Sequence, residues 1–263
     1  MRDFSECKRI VIKVGTSTLT YPNGKLNLRR IDALCRVISD LKNQGKEMVL
    51  VSSGAIGVGV ERLKLPKKPD DICGRQAAAA VGQSLLMEIY NKIFTEYGCV
   101  AGQLLLTKDV LDKPVMKENA QNTFEQLLDF GVVPIVNEND SISVDEIKFG
   151  DNDHLSGLVS QLIDADLLIL LTDIDGLYNK DPKRFDDAIR IATVKDLSEK
   201  IEEGLSSETG KLGTGGILTK VHAARICAQR GISAVIANGE NPSVLYDVLE
   251  GKDVGTFFEG ERV

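Results

Sequence analysis

Short apolar runs and longer amphipathic stretches alternate from one end of the chain to the other. This rhythm constrains the fold more than any other feature. Strands are expected at 9–14, 47–52, 99–106, 132–136, 166–171 and 232–237. Helical patterns lie between them near 28–44, 75–97, 117–130, 153–164, 217–230 and 242–250. Ile10, Val11 and Ile12 read as a strand buried on both faces. Alternation of this kind implies an α/β protein, with a parallel sheet covered by helices on both faces. Gly45, Gly98, Gly131 and Gly231 stand where helices should stop.

A chain of 263 residues is long enough for one large α/β domain or two small ones. With 43% apolar and 27% charged residues, a packed core is expected and extended disorder is not. One region departs from the rhythm. Residues 173–215 are polar and rich in Asp, Lys and Gly, and they read as a lobe of hairpins and loops inserted beside the sheet. The Lys67–Asp71 stretch reads as a solvated loop.

Charge and composition remove several classes of function. A formal net charge of −7 argues against non-specific nucleic-acid binding, which needs a basic field. A few placed lysines can still dominate a pocket for a small anion. No stretch approaches ~18 uninterrupted apolar residues, so no membrane span is expected. The N-terminus lacks the basic start and apolar run of a signal peptide. The five cysteines share no C-x-x-C spacing, and only two histidines exist, so a structural zinc site is not expected. An odd, scattered set of thiols suits a reducing cytosol.

Six runs carry candidate chemistry. In Ile12-Lys13-Val14-Gly15-Thr16-Ser17, a strand delivers a lysine to a glycine turn with hydroxyl and amide donors. Ligands of open parallel sheets bind beyond the carboxyl ends of the strands, which suits a phosphate; a surface lysine before an ordinary turn is the alternative. In Val51-Ser52-Ser53-Gly54-Ala55-Ile56-Gly57-Val58-Gly59, a strand runs into a small-residue turn. It suits either a backbone-amide cradle for an anion or close packing through glycines. Its glycines fall as G-x-x-G-x-G, so a dinucleotide fingerprint is unsupported.

Asn137-Glu138-Asn139-Asp140 follows the strand 132–136 and offers amides and carboxylates to an ammonium, or simply caps and turns. Asp151-Asn152-Asp153 precedes a helix, where Asp153 acts as an N-cap or orients lysines or a metal; the spacing is wrong for a calcium loop. Thr172-Asp173 ends another apolar strand in polar residues, an exit that could hold a nucleotide. Gly213-Thr214-Gly215-Gly216-Ile217-Leu218-Thr219-Lys220 is the strongest run. Its glycines open a helix, so free amides and a lysine would meet phosphate oxygens. His222 is expected to serve packing or face solvent.

Together, and in this order, the runs resemble the amino acid kinase family over nearly the whole chain. The match is best to those members that act on glutamate. The resemblance implies a three-layer αβα sandwich around a mainly parallel sheet, as a single domain over 1–263. The amino-acid side would lie in the N-terminal part and the nucleotide side at roughly 166–263. It implies ATP-dependent phosphorylation of the L-glutamate γ-carboxylate to γ-glutamyl phosphate, the first step toward proline, in the cytoplasm. Lys13 and Lys220 would flank the transferring phosphoryl group, and Asp153 would hold the lysines.

By the same resemblance, Ser53, Asp140 and Asn152 would bind glutamate. Lys13, Thr172 and Asp173 would bind ATP, with Thr214, Gly215, Gly216, Ile217, Leu218, Thr219 and Lys220. Mg²⁺ would ride mainly on the nucleotide phosphates, without a protein metal site. A homo-oligomer of two or four chains and functional coupling to a glutamyl phosphate reductase are implied as well. Many members add a C-terminal PUA domain, which is not expected here because the chain stops at Val263. The alternatives are another kinase of the family (acetylglutamate, aspartate, carbamate or UMP), a dinucleotide-dependent oxidoreductase, and a nucleotide sensor without turnover.

Overall fold

A computed structural model describes residues 4–107, 109–142, 152–180, 182, 184–195 and 215–260. The chain divides into two compact units, Met1–Lys13 with Asp153–Val263, and Val14–Asn152. In chain order the elements begin with β1 (Arg9–Val14), α1 (Thr16–Leu19), α2 (Leu28–Asn43), β2 (Glu47–Ser52) and α3 (Ala55–Arg62). Next come α4 (Ile72–Glu96), β3 (Val100–Leu106), α5 (Asp109–Asp112), α6 (Pro114–Asp129) and β4 (Val132–Glu138). The remainder are α7 (Asp153–Leu162), β5 (Leu167–Thr172), β6 (Thr193–Val194), α8 (Gly215–Ala228), β7 (Ser233–Asn238), α9 (Val244–Leu249) and β8 (Thr256–Phe258).

In the 14–152 unit, β4 is the central strand. It pairs in parallel with β2 (Leu50↔Ile135) and with β3 along its whole length, from Val100↔Val132 to Leu106↔Glu138. Both β2 and β4 are buried except at their first residues, as expected of strands covered on both faces. Helix α2 buries Ile31, Leu34, Cys35, Ile38 and Leu41, a stripe at helical spacing, and Asn27 caps it by accepting from the Arg30 amide. Helix α4 starts at Ile72 rather than near 75. Asp71 accepts from the Gly74 amide at 2.7 Å, so a residue of the charged loop is the cap that sets the helix start.

In the other unit the strand order is β1-β5-β7-β8-β6. Every residue of β5 is buried, and it pairs in parallel with β7 from Leu167↔Ser233 to Thr172↔Asn238. Strand β8 runs antiparallel to β7 (Val235↔Phe257), and β6 runs parallel to β8 (Thr193↔Phe257). The 173–215 region therefore does more than stand beside the sheet, because β6 is the sheet's last strand. Residues 196–214 of this region lie outside the described residues. In both units the described strands are mostly parallel and carry helices, an α/β fold.

Candidate functional site

Lys13 sits inside β1 as its fifth residue and is 2% exposed, so it is no surface lysine. A buried ammonium needs an anion, because leaving water costs several kcal/mol, about the scale at which a lone lysine would deprotonate instead. Asp153 supplies that anion. It opens α7, is fully buried, and places Oδ1 2.6 Å from the Lys13 ammonium. Its Oδ2 accepts from Lys220 at 3.0 Å and from the Thr219 hydroxyl at 2.7 Å. One carboxylate thus ties together a strand near the N-terminus and a helix near the C-terminus.

The rest of that cluster comes from the start of α8. Gly216 is exposed, Ile217, Leu218 and Thr219 are half-buried, and Lys220 is buried. Lys220 also donates to the Gly216 carbonyl at 3.1 Å, one turn back, which holds its stem along the first turn of the helix. Gly215 is the first helical residue, and Thr214 lies outside the described residues. Thr172 closes β5; its hydroxyl donates to Asp173 at 3.0 Å, and its carbonyl accepts from the Gly239 amide. Asp173 itself is exposed. His222, exposed on α8, stacks on His154 of α7 with ring centroids 5.4 Å apart, so it packs against the neighbouring helix.

The 14–152 unit carries a second cluster, built from amides. Asn152 is fully buried. Its Nδ2 donates to Asn137 Oδ1 at 2.6 Å, to the Ser52 carbonyl at 3.1 Å and to the Ser53 hydroxyl at 3.2 Å. Those neighbours fix the direction of the amide. Turned over, its oxygen would face the carbonyl oxygens of Ser52 and Asn137, with no proton between them. Asn152 Oδ1 is consequently aimed away from all three, and among the described residues it has no hydrogen-bond partner.

Asn137, at the buried end of β4, is oriented in turn. Its Nδ2 donates to Gln83 Oε1 at 2.8 Å, and its Oδ1 accepts from the Glu138 amide at 2.9 Å as well as from Asn152. Ser53 is held by its own amide, which donates to the Val14 carbonyl. The next residue, Gly54, has φ +106, a conformation that only glycine adopts without strain, and it turns the chain from β2 into α3. Ser52 is tied to α4 through a 2.9 Å hydrogen bond between its hydroxyl and that of Tyr90.

Asp140 is 6% exposed, and its Oδ1 also lacks a hydrogen-bond partner among the described residues. It lines a cavity of about 480 Å³ together with Gln83, Glu88, Gln103, Glu138 and Asn139. Burial pushes its carboxyl up to about 6, the nearby Glu138 charge adds to this, and Lys68 pulls the other way. Each of these buried acceptor atoms, on Asn152 and on Asp140, suits an N–H donor.

Of the residues singled out in the sequence, the structure brings Lys13, Asp153, Thr219 and Lys220 into one cluster, and Ser53 and Asn152 into another. Sequence reasoning missed Gln83 and Tyr90. Both are polar residues seven apart on the Ala-rich helix α4, and that shared face was the available signal.

Residues 8–238 match the model of the amino acid kinase family. Curated relatives include glutamate 5-kinase of Clostridium perfringens (strain 13 / Type A), 55% identical over 98% of this chain and 97% of the relative. Glutamate 5-kinase of Listeria innocua is 51% identical over 97% of this chain and 94% of the relative. Among solved structures, UMP kinase from Bacillus anthracis superposes with a TM-score of 0.66 over 97% of each chain; at 16% identity this likeness concerns the fold alone. A match over most of the chain, and relatives this similar over nearly their full length, show that the chain belongs to the amino acid kinase family.

Proposed function

We propose that this protein phosphorylates the γ-carboxylate of L-glutamate from ATP, giving γ-glutamyl phosphate. The observation that carries the reading is the buried carboxylate of Asp153 shared between two lysines from opposite ends of the chain. Relatives that share about half of its residues are glutamate 5-kinases, which supports glutamate as the acceptor.

The chemistry follows from charge. A glutamate carboxylate is ionised near neutrality and is already a nucleophile, so no general base is required. Its oxygen forms the new bond to the γ-phosphorus, the bond from that phosphorus to the bridging oxygen breaks, and ADP leaves with the electron pair. What the reaction needs is positioning and neutralisation of the negative charge on the transferred group. Lys13 and Lys220 supply ammonium groups for this, and Asp153 keeps them near each other against their mutual repulsion. Thr172, Asp173 and the helix start from Thr214 to Lys220 take the nucleotide.

Mg²⁺ enters with ATP as part of the substrate. Both Asp153 oxygens are engaged by ammonium and hydroxyl groups, so the ion is carried by the phosphates and water, as is usual for Mg²⁺.

The amide cluster takes the amino acid. Ser53 and Asn152 bind glutamate, and the bare acceptors of Asn152 and Asp140 receive its ammonium. Asn152 and Asp153 are consecutive residues, so one peptide bond joins the amide that binds the acceptor to the carboxylate that holds the lysines. This assigns the nucleotide to roughly 166–263 and the amino acid to the N-terminal part. The proposal extends to a cytoplasmic homo-oligomer that passes its labile product to a reductase. Among the described residues no helix is long and apolar enough to cross a membrane.

The test is ATP consumption with hydroxylamine present to trap an acyl phosphate. The reading predicts hydroxamate formation that depends on L-glutamate. ADP release driven instead by acetylglutamate, aspartate, carbamate or UMP, with none from glutamate, would overturn it.

A further inference from the structure

We infer that Gln83 is a positioning residue for the amino-acid substrate, acting through Asn137 to set which atom Asn152 presents. The inference rests on the reading of Asn152 as a glutamate-binding residue, and it assigns a role to a helix that carries no member of the six motif runs.

A side-chain amide has an accepting end and a donating end of nearly equal shape, so packing alone hardly distinguishes the two orientations. Something must choose. The Glu138 amide donates to Asn137 Oδ1, so Asn137 Nδ2 faces Gln83, whose carbonyl accepts from it at 2.8 Å and holds Asn137 Oδ1 toward Asn152. That oxygen then accepts from Asn152 Nδ2 at 2.6 Å, which turns Asn152 Oδ1 to its unpartnered position. All three residues are buried, at 8%, 1% and 0% exposure, and Gln83 also lines the cavity beside Asp140. Reversing Asn137 would set its NH₂ against that of Asn152 and would also abandon the Glu138 amide. Gln83 therefore supports a chain of two amides whose last atom is the unpartnered Asn152 oxygen.

The height of Gln83 on the sheet is also fixed. Its neighbour Gly82 lies so close to α3 that an added Cβ would come within 1.8 Å of the Ala55 carbonyl oxygen. Ala55 begins α3 directly after Ser53 and Gly54. The turn of α4 that supplies Gln83 is thus the turn that packs against the start of α3.

The experiment compares wild type with Gln83→Met, which keeps length and removes the acceptor, and Gln83→Glu, which keeps an acceptor. Gln83→Met is expected to raise the KM for glutamate about tenfold, the scale of one buried hydrogen bond, with kcat and the KM for ATP within about threefold. Gln83→Glu is expected to restore the KM for glutamate to within about threefold of wild type. If Gln83→Met does not fold, Gln83→Ala takes its place with the same expected split. An unchanged KM for glutamate in an active enzyme overturns the inference, as does an equal fall in every kinetic constant without rescue by Gln83→Glu. Wild type without glutamate-dependent turnover would instead sink the proposed function, so the two failures are distinguishable.

Discussion

At the scale of single residues, Asp153 bears the largest burden. Replacing it with Asn leaves two lysines buried without their shared counter-ion, and breaking a buried ion pair costs about 3–5 kcal/mol. Asp153→Asn should therefore lower unfolding free energy by that amount in a denaturant titration and abolish turnover of the fraction still folded. Asp140 predicts a pH dependence. Its carboxyl titrates near 6 in the folded protein against 3.8 as a free side chain, so the folded state binds the proton more tightly. Its contribution to stability is then fullest below about pH 4 and is lost as pH rises to about 6. Binding runs the other way, because only the carboxylate attracts an ammonium. The KM for glutamate should fall as pH rises through about 6 and level off above it, and Asp140→Asn should flatten that limb. Lys13 was legible in the sequence as a charge at the end of an apolar run, and Asp153 and Lys220 as charges at helix starts. Gln83 was not, because its meaning lies in a partner 54 positions away.

At the scale of elements, the crossing of α3 and α4 shapes the amide cluster. An added Cβ at Gly59 would come within 1.8 Å of the Ala78 carbonyl oxygen, and Gly82 is equally close to Ala55. The glycines after β2 thus let two helices approach, and the start of α3 is held where Ser53 needs it. Gly82→Ala should cost at least about 1–3 kcal/mol, the range for overpacking, and raise the KM for glutamate with little change in the KM for ATP. Thermal unfolding and the two kinetic constants check this together. Six strands were legible because each is a long apolar run with turn residues at its ends. The strands β6 and β8 were not, since two or three residues are too few to show a period of two. Helices α1 and α3 were hidden by small residues that read equally well as turns.

At the scale of the whole molecule, the account asks one chain to bring a polyanion and an amino-acid carboxylate to reaction. The sequence rhythm already implied a parallel α/β sheet, and its strand ends already marked where chemistry would gather. What it did not contain was the pairing of the clusters: Lys13 and Lys220 on one carboxylate, Asn152 on Asn137. Such pairings depend on strand order, which follows from packing and not from local pattern.

The central claim is that Lys220 neutralises charge in phosphoryl transfer and is not there only to fill space beside Asp153. The most direct test is glutamate-dependent hydroxamate formation by Lys220→Ala, with its folded fraction measured by circular dichroism. The account predicts a fall in kcat of about 10³-fold, within the range for losing a preorganised charge stabiliser, in a protein that remains folded. A folded Lys220→Ala enzyme turning over within a few-fold of wild type would contradict it.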